Sequence, residues 1–145
     1  MVDDVVTLAR GWIGTPYHHQ ASRRGAGADC LGLIRGIWRE RYGSEAEAPP
    51  AYGEDWGVLG PETLLAAMAR HCPMLAADAP WSAGQIFLFR MRQGAAARHL
   101  GILSATSPEA GGVARFIHAY QRHGVVESPL SAPWRARVAA RFRFP

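Results

Sequence analysis

Between residues 2 and 13, Val2, Val5, Val6, Ala9, Trp12 and Ile13 fall at helical spacing, and the GTPY stretch that follows stops the segment with Gly14 and Pro16. The spacing predicts a first helix there. Residues 18–28, HHQASRRGAGA, are small, polar and glycine-rich and read as a loop that delivers the chain to Asp29. From Cys30 to Tyr42 the apolar positions Leu31, Ile34, Ile37, Trp38 and Tyr42 recur at steps of three and four, with Arg35, Arg39 and Arg41 between them. This is a second helix, stopped by Gly43. Residues 44–60, with Pro49, Pro50 and three glycines, form a long connection, and PETLLAAMARHC predicts a third helix over 61–72 with Pro61 in its first turn.

From residue 84 the period changes. GQIFLFRM, HLGILS, VARFIHAY, GVVES and RVAARFRF are short β-rich runs parted by Gly, Pro and Ser, the pattern of an antiparallel sheet. Helices first and strands second predict an α+β domain. At 145 residues the chain has room for one core, so a single domain over 1–145 is expected, with no internal repeat or linker.

Composition narrows the picture. Hydrophobic residues make up 48% and charged residues 19%, which suits a globular chain and excludes a disordered one. No apolar run is long enough to cross a bilayer. The net charge is +4, and all sixteen basic residues are arginine. Such a charge favours anionic partners, yet no nucleic-acid-binding motif accompanies it, and none of that class is expected. Asp3 and Asp4 stand where a secretory leader needs positive charge, so synthesis in the cytoplasm without a signal peptide is expected.

The candidate chemistry begins at Cys30. If the second helix starts there, Asp29 is its N-cap and the thiol lies in the first turn, where unpaired N–H groups and the helix dipole favour an anion. That position predicts a lowered thiol pKa. The alternative is a small buried hydrophobe, the state of most free cysteines. Gly27 and Gly32 would admit close approach of other chain segments or of a substrate. A nucleophilic thiol needs a proton acceptor that can later protonate a leaving amine, and histidine suits both tasks. His99 opens one predicted strand and His118 lies within the next. On adjacent antiparallel strands the imidazoles would stand side by side, His99 facing the thiol and His118 orienting it, in the logic of a nucleophile, base and orienter. Six histidines offer other pairs, and spacing alone leaves a structural role for either ring open.

GTPY, DCLGL, RHLGIL and FIHAY, in this order along nearly the whole chain, resemble the NlpC/P60 family of cell-wall cysteine peptidases. The resemblance implies a papain-like α+β fold, with Cys30 as nucleophile, His99 as general base and acid, and His118 as the orienting third residue. It also implies that Tyr17 lines the substrate cleft and that Asp29 helps grip the free amino end of a peptidoglycan stem peptide. The implied reaction is amide hydrolysis through a thioester, most often between γ-D-glutamate and the diamino acid, with no metal and no organic cofactor. Leu31 stands where the family usually has Ser, HHQASRR replaces a glycine-rich stretch, and Gln85 takes a usual Asp place. The first two departures touch the substrate side. PYHHQAS and DCLGLIRGIWRERYG look most like the subset found with phage tails and gene-transfer particles, which implies phage-like tail proteins as partners and carriage to the cell wall in a particle.

Other readings compete. A non-catalytic tail or adaptor protein would keep the fold and use the cleft only to bind. A thiol amidase or acyltransferase on another amide would keep the chemistry. His18, His19, His71 and Cys72 lack the spacing of a zinc site, and His18 and His19 read as solvated loop residues. Trp38, Trp56 and Trp134 read as core or rim. The WRARVAARFRF run predicts a final strand with an outward arginine row and a charged edge.

Overall fold

A computed structural model describes residues 4–52 and 61–145. The elements run α1 (Val5–Arg10), β1 (Ser22–Arg23), β2 (Gly27–Ala28), α2 (Cys30–Tyr42), α3 (Thr63–His71), β3 (Ile86–Phe89), β4 (His99–Ala105), α4 (Ser107–Ala110), β5 (Arg115–Tyr120), β6 (Gly124–Pro129), α5 (Ala132–Ala136) and β7 (Val138–Phe142). Five strands pair antiparallel in the order β6-β5-β4-β3-β7. The architecture is the expected α+β, helices packed on an antiparallel sheet.

Alternation along the strands splits the core in two. Ile86, Leu88, Leu100, Ile102 and Ile117 join Val5, Ala9, Trp12, Leu33 and Ile37 beneath the helices. Phe87, Phe89, Leu103 and Phe116 form a second, aromatic cluster, with Trp81 and Trp134 packed against it. α2 lies close to α1 because residue 36 is glycine: a side chain there would sit 2.0 Å from the Trp12 ring. Trp12 Nε1 donates to Glu40 Oε1 at 2.8 Å, so its one polar atom is satisfied where the ring is buried.

Several elements differ from the sequence expectation. The first helix covers only Val5–Arg10, because residues 11–14 form a turn whose Gly14 N–H donates to Val125 O on β6. The expected loop over 18–28 contains the two-residue hairpin β1/β2, since its glycines permit a tight return. α3 begins at Thr63 after Glu62, leaving Pro61 ahead of the helix and not in its first turn. α4 and α5 are single-turn helices too short to leave a periodic signal. Part of the 44–60 connection, including Trp56, lies outside the described residues.

The arginine row on the last strand is corrected in one position. β7 does lie at the sheet edge, but Arg141 is buried, 5% exposed. Its guanidinium donates to Gln85 Oε1 at 3.0 Å and to the carbonyls of Ala76, Ala77, Ala79 and Pro80 at 2.7–3.5 Å. A loop of carbonyls from residues 76–80 covers this side of the edge strand, and one five-donor group bonds to four of them. Gln85 completes the arrangement by donating to Pro80 O at 3.0 Å.

Candidate active site

α2 starts at the expected residue for the expected reason. Asp29 is the N-cap, its Oδ1 accepting from the Gly32 N–H at 2.7 Å. Gly43, at φ 85°, ends the helix in the left-handed region. Gly32 gives the close approach its type allows, since an added Cβ would lie 1.8 Å from the Ala21 carbonyl. Ser22 Oγ donates to Gly32 O at 2.6 Å, which ties the β1 hairpin to the first turn of α2. Tyr17 is held beside this turn by a parallel bridge to Ala28, with the Ala28 N–H donating to Pro16 O and the His18 N–H to Ala28 O.

A cleft of about 130 Å³ opens over the start of α2, and Cys30, His99, Tyr17 and Asp29 line it together with His19, Tyr52 and Arg98. The Cys30 thiol donates to the Arg98 carbonyl at 3.5 Å, which brings it to the residue before His99. His99 Nε2 lies 2.8 Å from His118 Nδ1, and His118 Nε2 lies 3.1 Å from Ser128 Oγ on β6. Adjacent strands therefore bring the two imidazoles together as their positions in the sequence predict. Ser128 extends the chain of contacts and was not singled out from the sequence.

The hydrogen-bond chain restricts the tautomers to two sets. Since Ser128 Oγ can both donate and accept, two directions are open; the one that leaves His99 Nδ1 an acceptor for a thiol proton has His99 Nε2–H donating to His118 Nδ1. His118 Nε2–H then donates to Ser128. The imidazoles share a face with the aromatic cluster: His99 contacts Phe89, Tyr120 and Trp134, and His118 stacks on Phe116 at 4.1 Å between centroids. Trp134 on α5 meets both rings, at 5.4 and 5.2 Å. Gly101 makes room for them, since a Cβ there would lie 2.8 Å from Phe116 and 3.3 Å from His118.

The electrostatics correct one expectation. Burial, reinforced by the Asp29 charge, pushes the Cys30 thiol up to about 12, against the Leu100 N–H on β4, the Leu31 N–H at the start of α2 and the Arg98 charge, which pull it down. Burial likewise pulls His99 down to about 3 and His118 to about 4. The helix N-terminus does favour the thiolate, but removal from water outweighs it. Both shifts favour the neutral forms, a thiol at Cys30 and an uncharged imidazole at His99.

His19 is a second correction. It lines the cleft with its ring edge-on to Tyr52, 5.1 Å between centroids, and is not a solvated loop residue. Tyr52 itself, in a proline-rich connection without periodicity, was not singled out; its hydroxyl donates to Asp29 Oδ2 at 2.5 Å. His71 and Cys72 lie elsewhere, His71 paired with Glu47 at 2.7 Å and Cys72 in the core. Among the described residues no group of three or more His, Cys, Asp or Glu is placed to hold a metal ion.

No family model and no curated protein matches the chain. Solved structures do. An NlpC/P60 family protein from Bacillus cereus superposes with a TM-score of 0.67 at 18% identity, over 99% of this chain and 40% of that one. The NlpC/p60 domain of peptidoglycan hydrolase SagA gives 0.64 at 19% identity, over 99% of each chain. A lipoprotein-like protein of the NLP/P60 family from Staphylococcus aureus gives 0.60 at 19% identity, over 98% of this chain and 40% of that one. This chain thus has the papain-like α+β fold of NlpC/P60 structures, and it spans about 40% of the length of two of these three.

Proposed function

We propose that this protein is a cysteine peptidase that hydrolyses an amide bond in peptidoglycan stem peptides. The observation that carries the reading is one cleft shared by Cys30, at the start of α2, and His99, backed by His118 and Ser128. The NlpC/P60 fold adds its support, since one of the structures it resembles is a peptidoglycan hydrolase domain.

The residues perform the reaction as follows. His99 Nδ1 takes the Cys30 proton as the sulfur attacks the carbonyl carbon, so that charge separation develops only with bond formation. The Cys30 N–H, in the unpaired first turn of α2, donates to the oxyanion of the tetrahedral intermediate. His118 accepts from His99 Nε2–H and stabilises the imidazolium that forms. Collapse breaks the carbon–nitrogen bond, His99 gives its proton to the leaving amine, and a thioester to Cys30 remains. Water, deprotonated by His99, then hydrolyses the thioester and restores the thiol. The bond favoured is that between γ-D-glutamate and the diamino acid. Leu31, which lines the cleft beside the nucleophile, faces the substrate side of this chemistry.

The wording of PYHHQAS and DCLGLIRGIWRERYG further supports carriage in a phage-like tail, with tail proteins as partners. Immunolocalisation to purified particles tests that part, and its absence from them sinks it. The activity is tested by mass spectrometry of stem peptides incubated with the wild type and with Cys30→Ala. Cleavage by the wild type alone is expected, with fragment masses that name the bond. If neither folded protein cleaves, an adaptor role or a different amide substrate replaces the peptidase reading.

A further inference from the structure

The cleft at Cys30 has little room. Its volume of about 130 Å³ matches roughly four molecules of liquid water, so most of any peptide that reacts there must lie outside it. One wall continues. Met91, on the connection between β3 and β4, lines the cleft and also lines a second, open groove of about 470 Å³ between that connection and α5. A ligand that leaves the cleft over Met91 enters this groove.

The groove is cationic. Arg90, Gln93 and Arg137 line it, and no carboxylate does so among the described residues. Residues 90–98 and 131–137, which build its two sides, carry five arginines and no Asp or Glu. The two lining arginines differ in state. Arg90 Nη1 donates to Glu62 Oε2 and to Ala95 O, both at 2.5 Å, so its charge is matched by a carboxylate. Arg137 donates from Nε to Met91 O at 3.4 Å and from Nη1 to Pro133 O at 3.1 Å, and neither acceptor is a carboxylate. Those bonds fix the half-buried guanidinium without cancelling its charge, and Nη2 takes part in neither. The backbone is fixed as well, since the Arg90 N–H donates to Arg137 O at 2.7 Å and ties one side of the groove to the other. A guanidinium stays charged at any working pH, and its planar fork of donors matches a carboxylate. Partial burial also weakens the screening of that charge by salt.

We propose that this groove is a subsite for a carboxylate of the ligand, carried by the part of the chain that leaves the cleft past Met91, with Arg137 as its anchoring cation. The proposal rests on the peptidase reading for the ligand's being a peptide, and the charge of the groove supplies the rest. A chain continuous with the cleft is then a peptide, and the anion that a peptide carries is a carboxylate. Arg137 holds this group at a distance from the chemistry, so it sets which peptides bind and not how the amide is broken.

The test is calorimetric titration of the Cys30→Ala protein, which binds without turnover, with a stem tetrapeptide and with the forms in which each carboxylate in turn is converted to an amide. One of these amides is expected to bind about tenfold more weakly than the parent peptide, the usual effect of losing a hydrogen bond to a charged group. Adding Arg137→Gln should reduce the penalty of that same amidation to less than about twofold, the mark of a direct pair. Because Arg137→Gln also alters the bonds to Met91 and Pro133, Gln93→Glu is measured beside it. That exposed residue would place a like charge in the groove, and the change should weaken binding of the parent peptide more than of the amide. No binding of any form, amidations that all leave the affinity unchanged, or a penalty that persists in full in both variants overturns the proposal. Inorganic phosphate that competes with the peptide through Arg137 and binds more tightly would make this a phosphate site and overturn it too. Turnover by the wild type is scored separately. A carboxylate preference without cleavage removes the peptidase reading alone, and cleavage without the preference removes this proposal alone.

Discussion

A cysteine at a helix start is often a ready-made thiolate, and Cys30 is not. In the proposed reaction, its raised ionisation together with the depressed ionisation of His99 would have the nucleophile made during attack, by proton transfer across the cleft. Alkylation by iodoacetamide should therefore be slow at pH 7 and climb with pH without a plateau below about pH 9, because the reagent reacts with the thiolate fraction alone. A plateau reached below neutral pH would show a preformed ion pair. Gly101 is a second residue on which the site depends. Gly101→Ala is expected to destabilise the fold by about 1–3 kcal/mol, the usual cost of overpacking, since the methyl group would press on Phe116 and His118. Denaturant unfolding measures that cost, and an unchanged midpoint would mean that the two rings shift freely.

Among the elements, α5 has a role out of proportion to its five residues. It supplies Trp134, which covers both imidazoles and helps keep them out of water. In Trp134→Ala the His99 pKa should rise from its depressed value toward the ordinary 6.5, because water can again solvate the charged ring. The base is then protonated at higher pH. The acid limb of kcat/KM against pH should move upward, and a limb that stays in place would reduce Trp134 to packing. The edge strand β7 depends on Arg141 in the same way that the imidazoles depend on α5. Arg141→Leu would leave Gln85 and the carbonyls of Ala76, Ala77, Ala79 and Pro80 without their shared donor. A loss of about 2–4 kcal/mol in thermal or denaturant unfolding is expected, as for buried acceptors left unpaired.

For the whole molecule, the same buried groups set the pH range of stability. His99 and His118 are held neutral in the folded state, so below about pH 6.5 the unfolded chain binds more protons, and stability falls as pH drops toward the folded values of about 4 and 3. Cys30 works from the other side. Its folded pKa of about 12 exceeds the ordinary value of 9.0, so stability contributed by the neutral thiol falls as pH rises above 9. Melting temperature against pH should show a maximum between about 6.5 and 9, and His118→Asn should flatten its acid side. An acid side that survives His118→Asn combined with His99→Asn would assign it to carboxylates such as Glu127, whose ionisation is lowered by Arg10 and Ser104 against the effect of burial.

Much of this was legible in the chain itself. The α2 boundaries, the cap at Asp29, the stop at Gly43 and the antiparallel strands follow from periodicity, side-chain capping and turn chemistry, all of which act within a few residues. The pairing of His99 with His118 was legible too, because neighbouring strands in sequence are neighbours in the sheet. Tertiary structure alone decided what depends on burial and on contacts between distant segments. Arg141 was read as an outward charge until a carbonyl loop from residues 76–80 closed over it. The helix start favours a thiolate at Cys30, and partial burial between α2 and the sheet outweighs it. Tyr52 carried no local signal, since its partner Asp29 is 23 residues away. Local rules determine where an element begins and which face it turns to the core; solvation and partnership across the fold determine what a polar side chain can do once it is there.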